Sequence, residues 1–169
     1  MPFRFWQIAG LAAGLLALGP PAAAQKYITA AGLRLGGTGS AGGYGLTLQQ
    51  AVGRRFTVEG IAGLGAREIS GTLLLEHHFG ILGPSLNYYL GAGGHYGHNR
   101  DTGRFGGFDG IIGAEYKVAF LPLVLSFDVK PTIEVNGADY ARFPSAFSVR
   151  FVLIKRRNNL FRQVWPFRK

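Results

Sequence analysis

The segment Leu123-Val-Leu-Ser-Phe-Asp-Val-Lys130 indicates the fold class of this chain, because apolar and polar residues alternate along it. One face would carry Leu125, Phe127 and Val129, and the opposite face Ser126, Asp128 and Lys130. Successive side chains of a β-strand point to opposite faces, so this period of two predicts a strand with one apolar and one polar face.

The same alternation recurs along the rest of the chain. Seven further segments have it, some more weakly: Tyr27–Leu35, Tyr44–Val52, Phe56–Leu64, Ile69–Phe79, Leu86–Tyr96, Phe108–Val118 and Phe147–Ile154. Glycines occur in six of these seven segments, which disfavours a helical fold because each interior glycine costs a helix about 1 kcal/mol. The pattern predicts an all-β fold, an eight-stranded antiparallel up-and-down β-barrel.

The N-terminal segment has the features of an export signal. Arg4 precedes an apolar run from Trp6 to Leu18, and the small residues Ala22-Ala23-Ala24 follow it. An N-terminal membrane anchor is the alternative, but the run falls short of the roughly 20 residues of a spanning helix. The predicted domains are therefore a removable signal peptide (1–24), a barrel (25–154) and a basic, aromatic tail (155–169).

The basicity of the chain lies mainly outside the predicted barrel. Of the net charge of +9, six positive charges are in the last fifteen residues: Lys155, Arg156, Arg157, Arg162, Arg168 and Lys169. The barrel segment is nearly balanced, so nucleic acid is not a predicted partner. The tail Lys155–Lys169 would contact anionic lipid or an anionic periplasmic partner, or be a plain basic extension, and the sequence leaves both open.

The aromatic residues indicate which face of the barrel points outward. The apolar face carries aromatics near the strand ends: Tyr27, Tyr44, Phe56, Phe79, Tyr96, Phe108, Tyr116 and Phe147. This placement is typical of the interfacial girdles of a transmembrane barrel and predicts outer-membrane lipid as a partner. A soluble lipocalin-like ligand-binding barrel would face its apolar side inward and usually has Gly-x-Trp on its first strand, yet the only tryptophans here are Trp6 and Trp165.

The polar face carries charges of both signs beside many glycines. Its candidate lumen residues are Arg34, Glu59, Glu76, Asp109, Glu115, Lys117, Asp128, Lys130 and Arg150. Eight strands leave room only for side chains, and one unpaired buried charge costs several kcal/mol. We therefore expect a structural ion-pair network that plugs the lumen. A small porin-like permeability barrel is the alternative.

The connections alternate in length as they do in outer-membrane barrels, which have short periplasmic turns and longer outer loops. The short ones are Gly53–Arg54, Gly80–Pro84 and Ala119–Pro122, and the long ones are Gly36–Gly43, Gly97–Arg104 and Asn136–Ser145. The connection Gly65–Arg67 is shorter than the rule. We predict Gly97–Arg104 and Asn136–Ser145 as the recognition surface.

No catalytic group, metal ligand set or cofactor is predicted. None of the four histidines precedes a serine by two positions, as it would in a deacylase-like barrel. His77 and His78 are consecutive in a strand and point to opposite faces. His95, His98 and Asp101 lie near one predicted loop, where an ordinary polar loop is the simpler interpretation than a weak metal site.

The segment Lys26–Ile154 resembles the small outer-membrane β-barrel families that include the OmpA membrane domain and OmpX, without any diagnostic motif. The resemblance implies a Gram-negative outer-membrane location and insertion by the barrel-assembly machinery. It implies a fold and a location and no functional residues. From the predicted closed lumen and outer loops, we expect a structural or surface-exposed adhesion or interaction protein. The fifteen-residue tail after the aromatic last strand departs from the family pattern.

Overall fold

The computed structural model describes residues 27–36, 43–82, 85–135 and 141–155, and every regular element in them is a β-strand. The strands are β1 Tyr27–Gly36, β2 Tyr44–Ala51, β3 Phe56–Leu64, β4 Glu68–Leu82, β5 Leu86–Asn99, β6 Gly103–Lys117, β7 Leu123–Val129, β8 Thr132–Glu134, β9 Ala141–Arg142 and β10 Ser145–Lys155. None of these residues forms a helix that is long and apolar enough to cross a membrane. The predicted signal peptide and the tail beyond Lys155 lie outside the described residues.

The strands close into one antiparallel ring. Neighbours along the chain pair from β1 to β7, β10 pairs with β7, and β1 pairs with β10 to close the ring. β7 and β8 are two parts of one barrel strand interrupted at Lys130 and Pro131, because both pair with β6. β9 and β10 form the last barrel strand in the same way. The predicted eight-stranded up-and-down barrel is confirmed.

Two predicted loops are wrong because the strands run into them. Asn99 pairs with Gly103, so only residues 100–102 remain of the loop predicted at Gly97–Arg104. This hairpin forms because Gly97 has no side chain: a Cβ there would overlap the ring of buried Phe105 on the partner strand. Within the loop predicted at Asn136–Ser145, β9 pairs with β8.

A bulge at the start of β1 reverses the predicted orientation of Tyr27. The pairing of β1 with β10 shifts register between Tyr27 and Ala30. The extra residue of a bulge turns the side chains before it to the other face of the sheet. Tyr27 therefore points into the barrel, where it is 1% exposed, and its predicted interfacial position is wrong.

The barrel is polar inside and apolar outside. In β10 the buried residues include Ser148 and Arg150, whereas Phe147, Val149 and Phe151 are exposed. Around the ring the exposed apolar residues include Leu33, Leu46, Leu73, Leu90, Ile112 and Phe127. We call the end that holds Tyr27 and Lys155, which pair with each other, the lower end, and the opposite end the upper end.

Candidate functional site

The candidate site is the lumen, and its centre is organised by Arg150. The guanidinium of Arg150 is fully buried and forms an ion pair with Glu59. It also donates hydrogen bonds to Thr47 Oγ1 at 3.1 Å and to Ser126 Oγ at 2.8 Å. The Thr47 hydroxyl in turn donates to Glu59. These residues come from β2, β3, β7 and β10, so the cluster ties both sides of the barrel together.

A second buried ion pair joins β1 to β7, which lie on either side of β10 in the ring. Arg34 donates to both carboxylate oxygens of Asp128, with its Nη1 2.8 Å from Oδ2. The Tyr89 hydroxyl donates to the same Oδ2 at 2.9 Å. A Cβ on Gly113 would overlap the Tyr89 ring and the Asp128 side chain, so this glycine makes room for both. The bidentate pair and the hydroxyl fix the orientation of the Asp128 carboxylate.

His78 lies between two buried carboxylates in the lower half of the lumen. Its Nε2 is 3.2 Å from Glu76 Oε2, and its Nδ1 is 3.6 Å from Glu115 Oε1. The imidazole also stacks on Tyr89, with ring centroids 5.2 Å apart. All three ionisable side chains are at most 1% exposed, so a protonated His78 has a carboxylate on each side.

Tyr27 and Gln49 extend this lower cluster across the barrel. The Tyr27 hydroxyl is 2.6 Å from Gln49 Oε1 and 2.7 Å from Glu115 Oε2. Gln49 Nε2 donates to Glu76 Oε2 at 3.1 Å, and Asn87 Nδ2 donates to Glu115 Oε1 at 3.2 Å. Amide and hydroxyl groups thus supply partners for the two carboxylates.

The upper part of the lumen is organised by Asp109. Lys130 Nζ donates to Asp109 Oδ2 at 3.0 Å, and Thr132 Oγ1 donates to Oδ1 at 2.8 Å. His95 Nδ1 lies 2.9 Å from the same Oδ1. Nearer the rim, Glu134 forms an ion pair with Arg142. Acids and bases therefore meet throughout the height of the lumen.

The predicted lumen residues fall into two groups. Eight of them are buried inside the barrel and contribute to the clusters above: Arg34, Glu59, Glu76, Asp109, Glu115, Asp128, Lys130 and Arg150. Lys117 is instead half-exposed at the lower end of β6. The structure brings the acids and bases together as partners from different strands, which a single sequence does not identify.

Several lumen residues were absent from the predicted set. They are Tyr27, Thr47, Gln49, His78, Tyr89 and His95, together with Glu68 and Glu134 near the upper end. The alternation along β5 already placed Tyr89 and His95 on the polar face, so a register-based assignment would have included both. Glu134 lies beyond Lys130, the predicted end of its strand. No pattern in the sequence predicted that a further strand, β8, follows Pro131.

Seven of the eight predicted interfacial aromatics point outward. Near the upper end are Tyr44, Tyr96 and Phe147; near the lower end are Phe56, Phe79 and Tyr116; Phe108 lies five residues into β6. At the lower end His77 joins the outer aromatic surface, with its ring centroid 4.8 Å from that of Phe56 and 4.3 Å from that of Phe79.

The histidines do not form a joint site in the described part of the chain. His95 points into the lumen, whereas His98 is exposed on the outer face of β5. Within the described ranges, no group of three or more His, Cys, Asp or Glu side chains could hold a metal ion. The arrangement of the lumen is that of a hydrogen-bonded ion-pair network between strands.

Comparisons with known proteins bear on the fold. No protein-family model and no curated protein matches this chain. Among solved structures, the chain is similar to the N-terminal β-barrel domain of Pseudomonas aeruginosa OprF, with a TM-score of 0.57 and 15% sequence identity. The match covers 74% of this chain and 98% of that domain. At this identity, the likeness shows that the two chains share a β-barrel fold.

Proposed function

We propose that this chain is an outer-membrane β-barrel protein of a Gram-negative bacterium, with a structural or surface-exposed role and a lumen closed by its own side chains. The observation that carries the proposal is the inverted distribution of polarity. Arg34, Arg150 and Glu59 are 0% exposed inside the barrel, whereas Phe127 and Leu73 are 56% and 63% exposed outside.

An apolar exterior of this kind suits lipid. Monomeric soluble proteins rarely expose contiguous apolar patches beyond a few hundred Å². Exposed Leu, Ile, Val and Phe side chains occur here on strands from β1 around to β10. A closed ring also satisfies the backbone hydrogen bonds of every strand internally, which a bilayer requires. A soluble lipocalin-like barrel would need the opposite arrangement of faces.

The buried ion pairs support a closed lumen. Arg34 and Arg150 each form a buried ion pair with a carboxylate on a strand that is not hydrogen-bonded to their own. A conducting path would have to separate such pairs, and separating a buried pair costs several kcal/mol. Apolar side chains add to the filling, because Ile61, Leu74 and Ile111 form a buried cluster with Tyr89. A porin-like barrel is the alternative that a conductance measurement tests.

The upper end is the candidate recognition surface. It is smaller than the sequence predicted, because two of its loops are shorter. The turns after β3 and β5 contact each other there: Arg100 N donates to Arg67 O at 2.9 Å. Arg67 also pairs with Asp101 at 3.0 Å, with both side chains more than half exposed. A role in adhesion or interaction would use these charged turns and the connections at 37–42 and 136–140.

The two ends of the chain would serve export and assembly. A signal peptide at residues 1–24 would direct the chain to the periplasm, and the outward aromatics Phe147 and Phe151 would give the last strand the character that the barrel-assembly machinery recognises. The tail after Lys155 would lie on the periplasmic side, where it could meet anionic lipid or an anionic partner. No enzymatic activity is proposed.

Gel migration of the membrane fraction tests the location and fold together. We expect the protein in the outer-membrane fraction, with an unboiled band that migrates differently from the boiled band. A protein that stays in solution without detergent would contradict the proposal. For the lumen, planar bilayers with refolded protein should give no steady ion current, and steady currents would favour the porin-like alternative.

A further inference from the structure

The lower end of the barrel combines exposed cations with exposed apolar side chains. Arg54 and Arg55 lie exposed in the turn between β2 and β3, and Lys155 is exposed at the end of β10. Val52 in the same turn as the arginines is 60% exposed. In the turn between β6 and β7, Phe120 is 98% and Leu121 53% exposed. We call these six residues the lower rim.

Backbone hydrogen bonds hold the arginine turn in place. The amides of Val52 and Gly53 both donate to Phe56 O, at 3.0 and 3.2 Å. The carbonyl of Arg55 accepts from the His78 amide at 2.8 Å, which ties the turn to β4. The two guanidinium groups therefore project from a fixed backbone beside the outer aromatic surface formed by Phe56 and His77.

The second turn is fixed to its neighbours as well. Val118 N donates to Leu123 O at 3.0 Å, and Pro122 O accepts from Val152 N on β10 at 2.7 Å. Phe120 is nevertheless almost completely exposed at the tip. A turn held this way presents its apolar side chains to whatever lies below the barrel.

Both ends carry exposed cations, but the exposed acid lies at one end alone. Among the described residues the single exposed acid is Asp101, at the upper end, where it pairs with Arg67. All other described acids are at most 8% exposed inside the barrel. The lower rim therefore carries cations without any exposed carboxylate near them. The sequence adds Lys26 before β1, and Arg156 and Arg157 after β10.

We propose that the lower rim binds the headgroups of anionic phospholipids in the leaflet that surrounds this end. The inference rests on the proposed membrane location and adds a lipid class and a site. Exposed cations near an anionic surface contribute about 1 kcal/mol each, and aromatic residues concentrate at membrane interfaces. The exposed apolar side chains of Val52 and Phe120 extend the apolar outer surface of the barrel to its lower end. An apolar surface beside cations favours lipid over a soluble anionic partner.

A single fluorescent label can measure the lipid composition at the rim, because the chain has no cysteine. Full-length protein with Val52→Cys is labelled with bimane and inserted into mixed phosphatidylglycerol and phosphatidylcholine vesicles. Either lipid carries the quenching nitroxide on its acyl chain, at equal trace amounts. We expect about fivefold stronger association of phosphatidylglycerol, the ratio that corresponds to ~1 kcal/mol.

Charge reversal identifies the residues responsible. Arg54→Glu with Arg55→Glu should bring the phosphatidylglycerol preference at Val52 close to unity. Arg100→Glu with Arg104→Glu makes the same charge change at the upper end and should leave the preference unchanged. High salt should reduce the wild-type preference, since the rim is solvent-accessible.

The experiment distinguishes failure of the lipid assignment from failure of the proposed membrane location. Equal quenching by both lipids in inserted protein would overturn the lipid assignment and leave the barrel proposal intact. Absence of quenching by either lipid, in protein whose gel band is not heat-modifiable, would overturn the membrane location and this inference with it. An equal loss of preference in both charge-reversal variants would also contradict a site at the lower rim.

Discussion

At the scale of single residues, Arg150 is the side chain on which the lumen depends most. It contacts Glu59, Thr47 and Ser126 and is fully buried, so its removal leaves the Glu59 carboxylate without its cation. We expect Arg150→Met to lower the free energy of unfolding by about 3–5 kcal/mol, the cost of leaving a buried charge unpaired. Urea-induced unfolding of the barrel in lipid vesicles, followed by circular dichroism, measures this change.

Two further variants make the Arg150 prediction specific. Adding Glu59→Gln to Arg150→Met removes the unpaired charge and should recover much of the lost stability. Arg67→Met breaks an exposed pair whose side chains are 70% and 56% exposed, and it should cost no more than about 1 kcal/mol. Equal instability of the single and double lumen variants would contradict an unpaired carboxylate as the cause.

At the scale of elements, the turn between β5 and β6 ends on a glycine with a positive φ. Gly103 has a φ of +87° at the end of the three-residue turn, and a Cβ there would meet open space. Backbone strain alone should therefore make Gly103→Ala destabilising, by about 1–2 kcal/mol. The matched control is Gly71→Ala in β4, where φ is negative and a Cβ also meets nothing. A loss in the control as large as that at Gly103 would argue against strain.

The strands were largely predictable from sequence, whereas their irregularities were not. The predicted first residues Tyr27, Tyr44, Phe56, Leu86 and Leu123 are those of β1, β2, β3, β5 and β7. Alternation fixes which residues share a face, because a strand has period two. The alternation does not reveal a bulge such as the one at the start of β1.

The loop predicted from glycine and polar residues was wrong where the glycine makes room for a neighbouring side chain. The sequence predicted a loop at Gly97, His98 and Asn99, but these residues continue β5. Gly97 has no side chain, which leaves space for the Phe105 ring. Pairing partners in the lumen, such as Arg34 with Asp128, lie on strands far apart in sequence. Only the closed ring brings them together, so the sequence indicated a polar lumen without its contacts.

At the scale of the whole molecule, the proposed membrane location depends on which face of the barrel meets its surroundings. The polar clusters fill the inside and the apolar side chains surround it, so we propose that the outer face meets lipid. β10 is suited to a test because Phe147, Val149 and Phe151 point outward and alternate with Ser148 and Arg150.

The most direct measurement is a nitroxide scan of β10 in membranes from cells or in vesicles. Single cysteines at Phe147, Val149 and Phe151, and at Ser148 for comparison, carry the spin label, and no native cysteine interferes. We predict that the three outward labels collide with oxygen, which dissolves in lipid, far more than with a water-soluble nickel complex. Labels at these positions that collide mainly with the nickel complex would contradict a lipid-facing exterior.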